Sequence, residues 1–190
     1  MSKENTRKFI IEGFLIVFSV MLALALDSWN ENRKLQKLVD DALIEIFNEV
    51  SMMNSIQGVT AYNTKILSQL DSILKVHENS PESFKAPIGL GRPELRNLAW
   101  NSAKESGIAS GFNPEMFRDL AEVYIEYERL EKILDYNREF TLKSDPNMDR
   151  FTEAKHVRKQ LDQSIFRSEE LIKKSGEFLE KYKDSKYATH

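Results

Sequence analysis

Glu153-Ala154-Lys155-His156 fits E-x-x-H, a spacing that sets a carboxylate and an imidazole on one face of a helix. Helical bundles that hold a di-iron centre need two such pairs and two further inward carboxylates. The other internal histidine, His77, has Leu74 at the matching position, and Lys155 and Arg158 mark the first pair as a solvated face. Asp40-Asp41 and Glu169-Glu170 are adjacent acids; neighbours diverge by about 100° on a helix, so neither pair addresses one substrate. Gly89-Leu90-Gly91 lacks the third glycine, the Lys-Ser/Thr step and the preceding strand of a phosphate loop. Neither H-E-x-x-H nor G-x-S-x-G occurs. There is no cysteine, which excludes thiol nucleophiles, disulfide scaffolds and Cys-based zinc or iron–sulfur sites. The residues therefore predict no catalytic group, no metal site and no cofactor. Tyr124 and Tyr127 fall on an apolar helical stripe, where core packing with hydroxyls at the rim competes with a binding role. Together with Trp100 they form the candidate partner or ligand surface.

The elements that must position these groups are helical. Gly and Pro total 12 of 190 residues, about half their usual share, which argues against a turn-rich β architecture. Eight of the 12 lie between Pro81 and Pro114. The 27 Lys and Arg are balanced by 30 Asp and Glu, so no basic excess points to nucleic acid. The mean hydropathy of −0.47 suggests a soluble chain, but that average conceals an apolar front end.

From Phe9 to Leu26, 12 of 18 residues are Leu, Ile, Val or Phe. Each contributes about −0.3 to −0.6 kcal/mol to bilayer insertion, so the group contributes roughly −4 to −7 kcal/mol. The one charge, Glu12, lies near the end of the run, where its cost falls below the about 2.5–3.5 kcal/mol of a central charge. Eighteen helical residues span about 27 Å, close to the hydrocarbon core. Trp29 then falls at the interface. Ser19 and Ala23 give a small-xxx-small spacing that lets membrane helices approach. The expected organisation is a tail over 1–8, a transmembrane helix over 9–29 and a helical soluble domain over 30–190. A cleaved signal peptide competes, since Lys3, Arg7 and Lys8 precede the run and Ala23-Leu24-Ala25 imitates a cleavage site. The apolar run reaches that site with no polar spacer, however, and the helical pattern continues beyond it. A buried core helix also competes, but nothing downstream is apolar enough to surround it. Three basic residues precede the span and three follow (Arg33, Lys34, Lys37). Arg7 and Lys8 lie nearer the apolar edge, which leans the N-terminus inside and the domain towards the periplasm.

Leu35, Leu38, Val39, Ala42, Leu43, Ile46, Phe47, Val50 and Met53 recur at three- and four-residue steps, extending the span into a bundle helix that stops near Gly58. A second helix is expected from about Ala61 to His77, then an irregular loop over about 79–92. Pro93 suits the first position of a short third helix ending near Ser106-Gly107. Asn113-Pro114-Glu115 is a strong helix start, and Asp145-Pro146 repeats it for a last helix reaching about Tyr182. Ser164, Ser168 and Ser175 share that helix's apolar side, marking either close helix approach or a weakly buried face. The fold class is all-α: an N-terminal transmembrane helix continuing into an antiparallel helical bundle or coiled-coil-like domain.

Glu12 to Lys34 resembles the start of a large bacterial family of small single-pass membrane proteins of unknown function. Their anchor ends in a signature close to N-N-W-N-E-x-R-K. Here it stands as Asp27-Ser28-Trp29-Asn30-Glu31-Asn32-Arg33-Lys34, with Asp27 and Ser28 replacing the Asn pair. Trp100 to Gly107 and Phe117 to Tyr127 loosely resemble the family's Trp, Ser-Gly step and Tyr-bearing helix. The resemblance implies an anchored, helical, extracytoplasmic domain and brings no known catalytic residues; the expected location is the cytoplasmic membrane.

Three functions follow as expectations. The first is a non-enzymatic, membrane-anchored module, a scaffold or accessory subunit that binds a partner protein or ligand. The eight residues before the span are too few for a cytoplasmic output domain, which favours a membrane-protein partner. The second is a homo-oligomer that perturbs the bilayer, motivated by Glu12 and by Ser19 and Ala23. The third, an enzyme with an unfamiliar helical site, would use the 79–92 loop with Trp100 and the tyrosine pair.

Overall fold

A computed structural model describes residues 3–77, 91–143 and 149–188, with side chains over 12–77, 91–139 and 149–188. The expected loop lies outside the described residues except for Gly91 and Arg92, as do Asp145-Pro146 and His190. The fold is all-α, with no strand among the described residues. Helix α1 (Lys3–Asn54) is one element of 52 residues, about 78 Å long at 1.5 Å per residue. Gly13 is its one breaker and meets nothing within 4 Å, so no neighbour interrupts the helix there.

Residues 12–38 of α1 are exposed on every side. Burial begins at Val39 and continues through Leu43, Ile46, Phe47, Val50 and Met53. Leu35 and Leu38, expected in that stripe, are instead 46% and 51% exposed. The reason is reach: Lys186 and Tyr187, beyond α5, meet α1 at Asp40, and among the described residues no helix lies opposite the earlier turns. The break after α1 also comes earlier than Gly58. The Ser55 hydroxyl donates to the Met52 carbonyl at 2.7 Å and Ile56 is buried, so the chain turns there. Gly58 lies inside α2 (Gln57–Val76).

Helix α3 (Leu98–Glu105) starts five residues later than Pro93 suggests. Its start is set by Glu49 of α1, whose carboxylate accepts from the backbone N–H groups of Ala99 and Trp100. A helix begun at Pro93 would already have committed those two donors to its own carbonyls. Gly107, at φ 77°, closes α3 in the left-handed conformation that glycine adopts without penalty, its N–H reaching the Lys104 carbonyl at 3.1 Å. The 3-10 turn that follows (Ile108–Gly111) lays Gly111 on α1. A Cβ there would sit 2.7 Å from Val39 Cγ2, and a β-branched side chain has little freedom to yield. Gly111→Ala is expected to destabilise the bundle by about 1–3 kcal/mol. Thermal unfolding of the two proteins side by side checks this; an unchanged midpoint would mean that the turn does not seat on α1.

Helix α4 (Pro114–Lys143) opens as expected, Asn113 Oδ1 accepting from the N–H groups of Glu115 (2.9 Å) and Met116 (3.3 Å). Helix α5 (Arg150–Lys181) is capped by Asp149, which accepts from Thr152 N–H at 2.9 Å. It packs against α4, α2 and α1 and forms the centre of the bundle. Lys181–Glu115, Lys174–Glu122 and Arg167–Glu126 run in opposite order along α5 and α4, which makes the two antiparallel. Such partly exposed pairs contribute little energy and serve mainly to mark register. Ser164, Ser168 and Ser175 are buried, and Ser164 and Ser175 donate back to the Leu161 and Ile172 carbonyls. With the Ser164 and Ser175 hydroxyls satisfied within α5, the seam permits close approach: a Cβ on Gly176 would sit 3.4 Å from Asn54 Oδ1.

The main core joins α1 from Val39 to Met53 with Trp100, Leu120, Tyr124, Tyr127, Leu171 and Phe178. A smaller cluster of Leu70, Phe151 and Ala154 ties α2 to the start of α5. After α5 the chain docks on α1: Lys186 Nζ and the Tyr187 hydroxyl donate to Asp40 at 2.6 and 2.8 Å. Those hydrogen bonds, Lys186 first and Tyr187 next, hold the Asp40 carboxyl below its usual range. A depressed pKa stabilises the folded state above the unfolded value, about 3.9, and that contribution is lost as pH falls through the folded value. Amide exchange at 185–188, corrected for intrinsic rates, is therefore expected to accelerate below about pH 4. Asp40→Asn is expected to flatten that dependence, and a profile that the substitution leaves untouched would exclude Asp40 as its source.

Candidate functional site

Two regions gather the residues singled out in the sequence. The first is the apolar front of α1. From Phe14 to Leu26 its large side chains are between 50% and 69% exposed. One helix near the N-terminus is thus long and apolar enough to cross a membrane, with a mean hydropathy of 1.6 over an 18-residue window from Glu12 onward and none of that window buried. Glu12, Ser19 and Ala23 lie on this unpartnered surface. The Ser19 hydroxyl donates to the Leu15 carbonyl at 2.7 Å, so its one polar group is satisfied within the helix and Ser19 with Ala23 presents a low, small surface. Phe14 and Phe18, one turn apart, hold ring centroids 6.4 Å apart. Trp29 is 59% exposed, and the Arg33 guanidinium lies over its ring at 5.0 Å.

The second region is the aromatic cluster. The structure brings Trp100, Tyr124 and Tyr127 together, but inside the bundle rather than on a surface, at 3%, 2% and 2% exposure. Trp100 stacks on Tyr124 with centroids 4.8 Å apart and planes 3° from parallel, and Tyr124 meets Tyr127 at 6.2 Å. The stacking fills the space that a ligand would need. The expectation of a docking surface at these three residues is corrected accordingly. Helix α3 carries Trp100 onto α4 because its own N-terminus is pinned to α1.

The pin is Glu49, which the sequence reading did not single out. Besides Ala99 N–H at 2.8 Å and Trp100 N–H at 3.3 Å, its carboxylate accepts from the Tyr124 hydroxyl at 2.7 Å. It is 6% exposed. Three donors, two of them at a helix N-terminus, are what a buried carboxylate requires. Its signal in the sequence was a charge inside an apolar stripe, three residues after Ile46 and four before Met53. Burial pushes the Tyr124 hydroxyl above its ordinary pKa, and its bond to Glu49 adds to that. Burial raises Tyr127 as well, assisted by its 3.0 Å bond to Glu131. Both phenols therefore stay protonated as donors, a structural duty rather than a nucleophilic or basic one.

Space for a ligand lies next to the cluster. A groove of about 530 Å³ runs between residues 92–96 and Glu131 and Leu134 of α4. A cavity of about 140 Å³ shares Arg92 and Leu134 with it and is also lined by Asn63, Arg138 and Ser164. Asn63 holds the entry to this stretch, its amide donating to and accepting from the Gly91 backbone at 2.9 Å each way. Glu153 is half-buried and His156 exposed on α5, and no group of three or more His, Asp or Glu among the described residues is placed to hold a metal. Compared with protein-family models, curated proteins and solved structures, the chain matches none.

Proposed function

We propose that the chain is a single-pass protein of the bacterial cytoplasmic membrane. The front of α1 is its anchor, and the bundle on the extracytoplasmic side is a non-enzymatic scaffold or accessory module that binds a partner protein or ligand. The observation that carries this is the apolar run of α1 from Phe14 to Leu26, exposed on every side and continuing without a break through a polar stalk into a bundle that closes over its own core. An apolar surface of that extent is far larger than a soluble monomer leaves in water, and lipid is the medium that suits it. The bundle has its catalytically suggestive tyrosines locked in packing, which favours binding over turnover.

Crosslinking in intact membranes, followed by purification in mild detergent, tests the reading. A specific membrane partner recovered with the bundle supports it; recovery of the chain alone in the soluble fraction sinks it. Activity of a reporter fused at His190 only in the cytoplasm would reverse the orientation. A second reading, an oligomer that perturbs the bilayer, is favoured by Glu12 standing exposed on the apolar surface that also carries Ser19 and Ala23. Collapse of membrane potential on overexpression, abolished by Glu12→Leu, would select that reading instead.

A further inference from the structure

Between the apolar segment and the bundle, α1 continues as a stalk that no other described element accompanies, bearing three cations and two acids. Trp29, Arg33 and Lys37 stand at four-residue steps and share one face. Asp27 and Glu31, also four apart, are offset from Trp29 and Arg33 by two residues, which turns them roughly 160° away. The face bearing Trp29 therefore carries Arg33 and Lys37, and the two acids lie opposite together with Lys34, three residues after Glu31. Arg33, Lys34 and Lys37 are exposed, and no ion pair engages them among the described residues.

The direction of the helix decides where these cations reach. Side chains on an α-helix tilt towards its N-terminus, which for α1 is the apolar end. Arg33 displays this directly: its guanidinium lies over the ring of Trp29, one turn back, at 5.0 Å. A tryptophan at the end of an apolar span sits at headgroup level, and a guanidinium stacked on it is held at the depth of the lipid phosphates. Lys37, one turn further out, has the length to reach back to the same layer.

We propose that Trp29, Arg33 and Lys37 form a docking surface for anionic phospholipid headgroups, which fixes the height of the bundle above the bilayer. This rests on the reading of the preceding segment as a membrane span. The indole occupies the carbonyl region while the guanidinium and ammonium donate to phosphate oxygens. Net-neutral lipids supply the phosphate without the net charge, so the surface selects phosphatidylglycerol over phosphatidylcholine.

The test uses the full chain in vesicles carrying spin-labelled phosphatidylglycerol or spin-labelled phosphatidylcholine, with quenching of tryptophan fluorescence as the readout. The chain has two tryptophans, and Trp100 is buried in the bundle, so it supplies an unquenched background. The expected result is preferential quenching of Trp29 by the anionic lipid, an enrichment of roughly five-fold for each basic side chain engaged. Arg33→Gln with Lys37→Gln is expected to bring that ratio close to one. These positions precede the first buried residue of α1, so the bundle's circular dichroism should be unchanged. Equal quenching by both lipids, or a preference that survives the double substitution, overturns the headgroup surface while leaving the span intact. Trp29 unquenched by either lipid overturns the span itself.

Discussion

With Phe18 and Leu22 both replaced by arginine, the chain is expected to stay in the soluble fraction when synthesised in the presence of lipid vesicles, whereas the parent floats with them and resists carbonate extraction. The apolar residues from Phe9 to Leu26 favour insertion by roughly 4–7 kcal/mol, and each arginine near the centre of a span costs about 2.5–3.5 kcal/mol. Two substitutions also remove two favourable residues, which brings insertion to about zero or beyond it. Phe18 and Leu22 are 55% and 50% exposed and lie four turns or more from Val39, where packing begins. The bundle is therefore expected to keep its unfolding midpoint. Equal membrane association of parent and variant would remove the anchor from the reading.

The second large effect concerns the bundle. Glu49→Ala deletes the acceptor of three buried or half-buried donors, the N–H groups of Ala99 and Trp100 and the Tyr124 hydroxyl. Hydrogen bonds to a charged group contribute about 1.5–3 kcal/mol each, and a donor stranded in the interior costs about 1–3 kcal/mol. Partial relaxation and water entry reduce the sum, so a loss of about 3–5 kcal/mol is expected. For a chain of this size that corresponds to a midpoint lower by roughly 6–20 °C. Glu49→Gln keeps one acceptor oxygen and should cost less. Tyr124→Phe removes one donor, at about 1–2 kcal/mol, and combined with Glu49→Ala should be less than additive because the two side chains share a bond. Thermal unfolding of the full chain in detergent measures all four. A Glu49→Ala protein as stable as the parent would mean that α3 is not held through this carboxylate.

Several features were legible because their causes are local. Asn113-Pro114-Glu115 opens α4 through bonds that reach only two and three residues along the chain, so the residues and their spacing suffice. The continuity of α1 followed from the scarcity of breakers between Phe9 and Ile56. The start of α3 was not legible. Pro93 is locally suited to begin a helix, but the first turn forms where Glu49, 50 positions earlier, offers an acceptor. Nor could the apolar stripe of α1 disclose where its burial starts. Leu35 and Leu38 obey the same periodicity as Leu43 and Ile46, yet no described residue packs over them, because Lys186 and Tyr187 meet α1 at Asp40, beyond those two leucines.

The candidate site divides in the same way. Composition and periodicity along the chain determined an apolar front helix bearing Glu12, Ser19, Ala23 and Trp29, and an all-α fold without a recognisable catalytic constellation. These depend on residues that follow one another within a single helix. Only the tertiary structure decided that Trp100, Tyr124 and Tyr127 are packing rather than surface, and that a carboxylate on the exit helix joins α1, α3 and α4. A helical stripe records which side chains share a face; the partner that covers the face comes from residues 50 to 75 positions away. That apposition is set by the packing of whole helices, which no short window of sequence contains.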